Sequence, residues 1–281
     1  MTQRDTADRT RFVTREELAH GLEEEIVSGV RAVGSRLPSE RELSEQFGVS
    51  RPIVREALRS LVERRLVEIH PGRGAYVRSI QSSDAASHMS VVFRRQQVTA
   101  RDLVEARSML ECTAAELAAS RADQADIDVM ARMAAELENA GDLVLQARYD
   151  LSFHYSVIRA ARNPVVETMF AAIVQPTVEV MLRSLIDEGV RAAALSLHNE
   201  IVDAIRQHQP ARARDAMEQH ILVAEHLYGE DLDRSLESVA RRELARTLAP
   251  SITLESVLEQ VATDFALVRQ VEAPNDPSGE I

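Results

Sequence analysis

Apolar residues recur at helical spacing along most of the chain, and the breaks in that rhythm divide it. Leu18, Leu22, Ile26 and Val27 share one face of a segment from Thr14 to Ser28, with Gly29 as its stop. After Arg36-Leu37-Pro38, the run Ser39-Glu40-Arg41-Glu42 reads as a capping box opening a short helix that ends at Phe47-Gly48. Ser50 then caps a third helix from Arg51 to about Arg64, with Pro52 in its first turn, where a missing N–H costs little. Val54, Leu58, Leu61 and Val62 make its buried side, while Arg51, Arg55 and Arg59, four apart, make a basic stripe elsewhere. The rhythm next becomes that of strands: Leu66 to Ile69 and Ala75 to Arg78 flank the turn Pro71-Gly72-Arg73-Gly74.

Helix, helix, short turn, helix and hairpin make a winged helix-turn-helix, expected over residues 1–80. Such a module offers the third helix to a DNA major groove and its wing tip to phosphates or the minor groove. From about Asp84 strand signals vanish. Leu103, Arg107, Leu110, Ala114 and Leu117 keep helical spacing, as do Ile127, Met130, Met133, Ala134 and Leu137. Further helices are expected from about Asp142 to Ala161, Pro164 to Ile186, Arg191 to Gln207 and Pro210 to Tyr228. The fold class is therefore mainly α: a winged module followed, over 81–230, by an all-α antiparallel helical bundle. Residues 231–281 read as an extension, with helices over Leu232 to Leu248 and Leu254 to Val268 and a disordered tail from Glu272.

Composition agrees with a helix-rich chain: 45% hydrophobic, 4% aromatic, no Trp. The net charge of −12 argues against nucleic acid only until it is resolved along the chain. Residues 36–78 hold nine Arg against six Glu, whereas residues 81–281 hold 19 Arg against 32 acidic residues. Positive charge thus collects in the winged module. A single cysteine, Cys112, forbids an intrachain disulfide and fits a reducing cytoplasm. Met1 to Thr10 has no apolar stretch of the secretory type, and no run of 18 apolar residues predicts a membrane span.

Candidate chemistry lies in the bundle. Asp150 and His154 are four apart on one face of an otherwise apolar helix. His198 lies 12 residues before Pro210 and His220 ten after it. At ~1.5 Å per residue an antiparallel hairpin brings both imidazoles to one level. A carboxylate and three imidazoles suit a divalent first-row metal, zinc first, with nickel or manganese as alternatives. Against this stands the blander role of a buried histidine as a hydrogen-bonded core residue. Arg107, among apolar neighbours, needs an anionic partner: the carboxylate of a ligand, or a Glu or Asp of the bundle. The remaining histidines are given no role; His208 reads as a surface residue at a helix end, and Cys112 as a small buried hydrophobe.

Leu37-Pro38-Ser39-Glu40-Arg41-Glu42-Leu43, Gly48-Val49-Ser50-Arg51-Pro52-Ile53-Val54-Arg55-Glu56-Ala57-Leu58 and Gly72-Arg73-Gly74-Ala75-Tyr76-Val77 together resemble the GntR family of regulators, in its FadR-like branch. That resemblance implies base or phosphate contacts from Arg41, Arg51 and Arg55, a phosphate bond from Ser50, and a wing contact from Gly72 and Arg73. Pro71 stands where the fatty-acid regulator of that branch has His, so no side-chain base contact is expected there. Leu103 to Glu111, Ala114 to Ala118, Asp150-x-x-x-His154, His198 and Ala216 to His220 resemble the FCD ligand-binding domain. In its metal-containing members an Asp and three His hold a divalent ion, and an Arg at the place of Arg107 faces the cavity. The acyl-CoA-binding relative lacks this ligand set, which disfavours such an effector here.

These readings converge on a homodimeric, cytoplasmic repressor that binds a pseudo-palindromic operator and is controlled by a small carboxylate effector at the metal. A metal-dependent hydrolase or lyase is the rival; it leaves the winged module idle and has no further general base or nucleophile set. A third reading keeps the regulator and makes the metal purely structural.

Overall fold

The computed structural model describes residues 14–79, 89, 91–226 and 229–236. Two compact units divide the chain, residues 1–84 and 85–281.

In the first unit, α1 (Arg15–Val27) begins at a capping box: Thr14 accepts from the Glu17 N–H and Glu17 reaches back to the Thr14 N–H. The same device, Ser39 with Glu42, opens α2 (Glu40–Phe47), which Gly48 closes at φ +64°. The third helix, α3 (Arg51–Glu63), has Ser50 at its N-cap, but the Ser50 side chain makes no cap hydrogen bond. Pro52 explains part of this, because it removes one of the two N–H groups a capping oxygen would reach. The expected cap is therefore corrected to a bare hydroxyl, and Ser50 is exposed.

Leu22, Leu43, Val54, Ala57 and Leu61 are fully shielded and form the centre of this core. Val62, expected inside, is only half-buried. Strands β1 (Val67–His70) and β2 (Gly74–Val77) pair antiparallel, with Val67 opposite Val77 and His70 opposite Gly74. Each strand lies one residue off the segment its hydrophobicity suggested. The reason is the turn: Pro71 and Gly72 occupy its centre, Gly72 at φ +73°, and the Arg73 N–H closes on the His70 carbonyl at 3.0 Å. Proline followed by a left-handed glycine is the type II arrangement. The segment before α2 also lies along β2, through Leu37 N–H to Ala75 O (2.9 Å) and Val77 N–H to Ser35 O (2.9 Å), which sequence patterning did not suggest.

The second unit holds α4 (Ala100–Arg107), α5 (Thr113–Arg121), α6 (Gln124–Asn139), α7 (Leu143–Ala160), α8 (Pro164–Ile186), α9 (Glu188–Arg206) and α10 (Pro210–His226). Between α4 and α5 the helix widens into a π turn, Ser108–Cys112, instead of continuing as a single amphipathic helix. Such widened turns are frequent at functional sites. Helix α7 is central: 12 of its 18 residues are buried, so little of its surface is left for water. Asp142 caps it by accepting from the Leu145 N–H.

Helix α8 is long and apolar enough to cross a membrane by length and composition. In the bundle, however, Phe170, Ile173, Val178, Val180, Met181 and Leu182 pack into a core cluster shared with α7. Pro176 sits inside α8, where it takes one donor from the helical ladder.

Helices α9 and α10 form a hairpin whose turn needs His208 at φ +53°. His208 is exposed at the C-terminal end of α9, as expected of a surface residue there, and its Nδ1 lies 2.9 Å from the Ala119 carbonyl. Beyond α10, Gly229–Asp231 makes a short 3-10 turn, and residues 232–236 return along the start of α4. The helices expected over 232–248 and 254–268, and the tail from Glu272, lie almost wholly outside the described residues.

Candidate functional site

Asp150 and His154 project from one face of α7, His198 from α9 and His220 from α10, and all four are buried. One ligand atom from each lies within 4.8 Å of every other. His220 Nε2 is 3.1 Å from His154 Nε2 and 3.2 Å from His198 Nε2. Asp150 Oδ1 is 3.4 Å from His198 Nε2 and 3.9 Å from His154 Nε2. Donors about 2.0–2.2 Å from one ion, at angles between square and tetrahedral, stand about 3.0–3.5 Å apart. Most of these separations fall in that range.

The donor chemistry fits a cation as well. Burial and the neighbouring imidazole of His220 hold His198 well below the ordinary imidazole value, and burial with the charges of His154 and Arg107 does the same to His220. Both are therefore neutral, with lone pairs to give. Among the described residues, the Nδ1 atom of His198 is buried without a hydrogen-bond partner. Three neutral imidazoles turned Nε2 to Nε2 cannot satisfy one another with hydrogen bonds alone, whereas a shared cation uses all three lone pairs. Burial raises the Asp150 carboxyl above its usual range, partly offset by His154 and Arg107. The Phe153 ring lies 4.0 Å from that of His198, fixing its orientation.

Around the cluster stands a set of residues that the sequence did not assign. Glu111, in the π turn and fully buried, accepts from Arg107 Nε at 2.6 Å and Arg107 Nη2 at 3.4 Å. Its Oε2 also meets His154 Nδ1. With Nδ1 protonated and held by Glu111, His154 Nε2 is free to act as an acceptor. Burial alone would raise the Glu111 carboxyl, but Arg107 and His154 outweigh it and hold the group well below the carboxylate range. Of the two partners foreseen for Arg107, the structure supplies the internal one. The Arg-x-x-x-Glu spacing on one helical face is the only sequence signal that could have named Glu111.

A narrow cavity opens beside the cluster, lined by Arg107, Asp150, Ser184, Arg191, His220 and apolar side chains that include Leu185 and Leu195. Arg191 and Ser184 carry no motif by which sequence reasoning could have found them.

In the first unit Ser50, Arg51 and Arg55 are exposed at the start of α3, and Arg41 is exposed on α2. Gly72 and Arg73 are exposed at the hairpin tip. Two of these arginines are engaged by acids: Arg55 grips Glu40 through Nε (3.0 Å) and Nη2 (2.8 Å), and Arg41 meets Glu45 at 2.9 Å. Arg59 and Arg64 pair with Glu56 and Glu23.

Comparison with known proteins places both halves. Residues 14–77 match the model for bacterial regulatory proteins of the gntR family, and residues 102–223 match the FCD domain. The chain is similar to the repressor NanR of an Enterobacter species, 31% identical over 224 residues, covering 76% of this chain and 86% of that protein. It is 36% identical over 157 residues to the Glc operon transcriptional activator of Escherichia coli, covering 54% of this chain and spanning only 62% of that relative's length. A GntR structure from Streptococcus agalactiae aligns with a TM-score of 0.62 at 29% identity, over 75% of this chain and 99% of that one. These relatives are described as regulators, not enzymes, which leaves the hydrolase reading without support. The helix-turn-helix with its wing and the helical bundle that follows are thus the two parts of a known kind of molecule, and the chain belongs to the GntR family of bacterial regulatory proteins.

Proposed function

We propose that the chain is a DNA-binding transcription regulator whose operator affinity is set by a small carboxylate effector at a divalent metal in the helical unit. The observation that carries this reading is the convergence of Asp150, His154, His198 and His220 on one point beside a cavity. Residues 1–80 would bind operator DNA, residues 81–230 would sense the effector, and 231–281 form an extension. A bound divalent ion, zinc by donor type with nickel or manganese as alternatives, would supply a Lewis-acidic centre with positions open to an acid's oxygens.

The chain's own residues then do the rest. Glu111 holds His154 in one orientation and keeps Arg107 at the cavity wall, where its guanidinium would face the effector's carboxylate. On the DNA side Arg41, Arg51, Arg55 and Arg73 would reach bases and phosphates, the bare Ser50 hydroxyl a phosphate, and Gly72 would let the wing backbone approach closely. A homodimer on a pseudo-palindromic site follows from the two-fold character of such recognition, and the single cysteine fits a cytoplasmic setting. We assign repression, because NanR, matched over 86% of its length, is named a repressor.

The test is retention of a fragment of the chain's own promoter by the metal-loaded protein, titrated with organic acids, beside metal content measured without added metal. His198→Ala should keep DNA binding and lose both the metal and the effector response. An effector response that persists in His198→Ala would leave the metal a structural part only.

A further inference from the structure

Arg107 is the evident anion reader of the cavity, yet its charge is already met by Glu111. A second arginine lines the same cavity. Arg191, in the first turn of α9, is half-buried, and among the described residues no hydrogen bond or ion pair engages its guanidinium. An arginine set in a partly apolar wall without an anion is poised for one from outside.

Its placement says what kind of anion. Arg191, Ala194, Leu195 and His198 are spaced as one face of α9, and the first three line the cavity while His198 joins the cluster. The seven steps from Arg191 to His198 are about two helical turns, about 10 Å along the axis. Leu185, Val190 and Leu195 line the same cavity with hydrocarbon, and Ser184 adds one hydroxyl.

Charge accounting agrees. Glu111 neutralises Arg107, and Asp150 neutralises half of a divalent ion held with three neutral imidazoles. Positive charge is then left over at two separated points, the metal position and Arg191.

Resting on the effector reading above, we propose that Arg191 is the specificity-determining residue of this cavity. It takes the distal carboxylate of a dicarboxylate of about four to six carbons whose other end lies at the metal position, and so selects diacids over monoacids.

Calorimetric titration of the full-length, zinc-loaded protein with succinate and glutarate, against butyrate and valerate of matching length, tests this. The wild type should bind the diacids at least about ten-fold more tightly, the size of one charge-assisted contact in a partly desolvated site. Arg191→Gln should erase that preference while leaving zinc content, melting temperature and monoacid affinity unchanged, and Arg191→Lys should restore part of it. A preference that survives Arg191→Gln, or an equal loss for diacids and monoacids, overturns the assignment and leaves the effector reading standing. A wild type that holds zinc but binds no acid of either kind removes the effector reading and this assignment together.

Discussion

His154 Nδ1 meets the carboxylate of Glu111, a residue 43 positions earlier in the chain and in a different helix. The same carboxylate holds Arg107, so one buried anion serves a candidate metal ligand and a buried cation at once. Glu111→Leu should therefore do two separable things. It strands the Arg107 charge, costing about 3–5 kcal/mol of stability. It also frees the His154 ring and lowers metal affinity about 10–100-fold. The double variant Arg107→Met with Glu111→Leu should recover much of the melting temperature in denaturation scans. Competition with a chelating dye should still show the weakened metal site. Recovery of both together would mean Glu111 acts only through packing.

Chelation should lower the melting temperature, and zinc should restore it, because an ion that binds only the folded chain stabilises by about 2.7 kcal/mol at a hundred times its dissociation constant. His198→Ala should melt at one temperature with or without chelator. In metal-free protein, acid should destabilise. His198 and His220 have depressed folded pKa values, so the unfolded chain binds protons that the folded one refuses. Stability is thus complete above the ordinary imidazole value of 6.5 and falls as pH drops below it. Asp150, raised by burial, works the other way, one carboxyl against two imidazoles. Urea titrations of the chelated protein at stepped pH would check the sign.

Glu40 occupies the Arg55 guanidinium at an exposed position. An exposed pair is worth at most about 1 kcal/mol, so Glu40→Gln should leave stability almost unchanged. It should strengthen binding to arbitrary duplex DNA by releasing a cation for phosphate. Arg51→Ala should weaken operator binding by about 1–3 kcal/mol if Arg51 reads a base, or flatten the salt dependence by about one counterion if it meets only phosphate. Retention assays across a salt series distinguish the two.

The segment after α10 closes on the start of α4. Leu232 and Leu236 are buried, the Leu236 N–H donates to the Val98 carbonyl at 3.0 Å, and Arg101 pairs with Asp233 at 2.6 Å. Burial should outweigh charge here: Leu232→Ala should cost about 2–4 kcal/mol, and Asp233→Ala, in an exposed pair, under about 1 kcal/mol. Comparable melting shifts for the two would reverse that ranking.

Cys112 is buried in the π turn, and burial, with the nearby Glu111 charge, pushes its thiol up to about 11 from 9.0. Two units mean about 100-fold less thiolate near pH 8. Iodoacetamide should label the native protein at least that much more slowly than the urea-unfolded chain.

The helix starts at Thr14 and Ser39, the glycine stop at Gly48 and the proline openings at Pro164 and Pro210 were legible because each is a contest between a side chain and its own backbone within a few residues. The strands were read one residue out because a turn's closing hydrogen bond, not hydrophobicity, ends a strand. The histidine pair across the α9–α10 hairpin was legible too, since one proline fixes where that hairpin folds.

The sequence by itself determined the two modules, their order and the four candidate ligands, because all of these are written in local spacing. Only the tertiary structure decided that Glu111 meets Arg107, that it orients His154, and that Arg191 faces the same cavity with no partner among the described residues. A buried charge takes whichever partner packing brings within reach, and that choice is made between residues far apart in the chain.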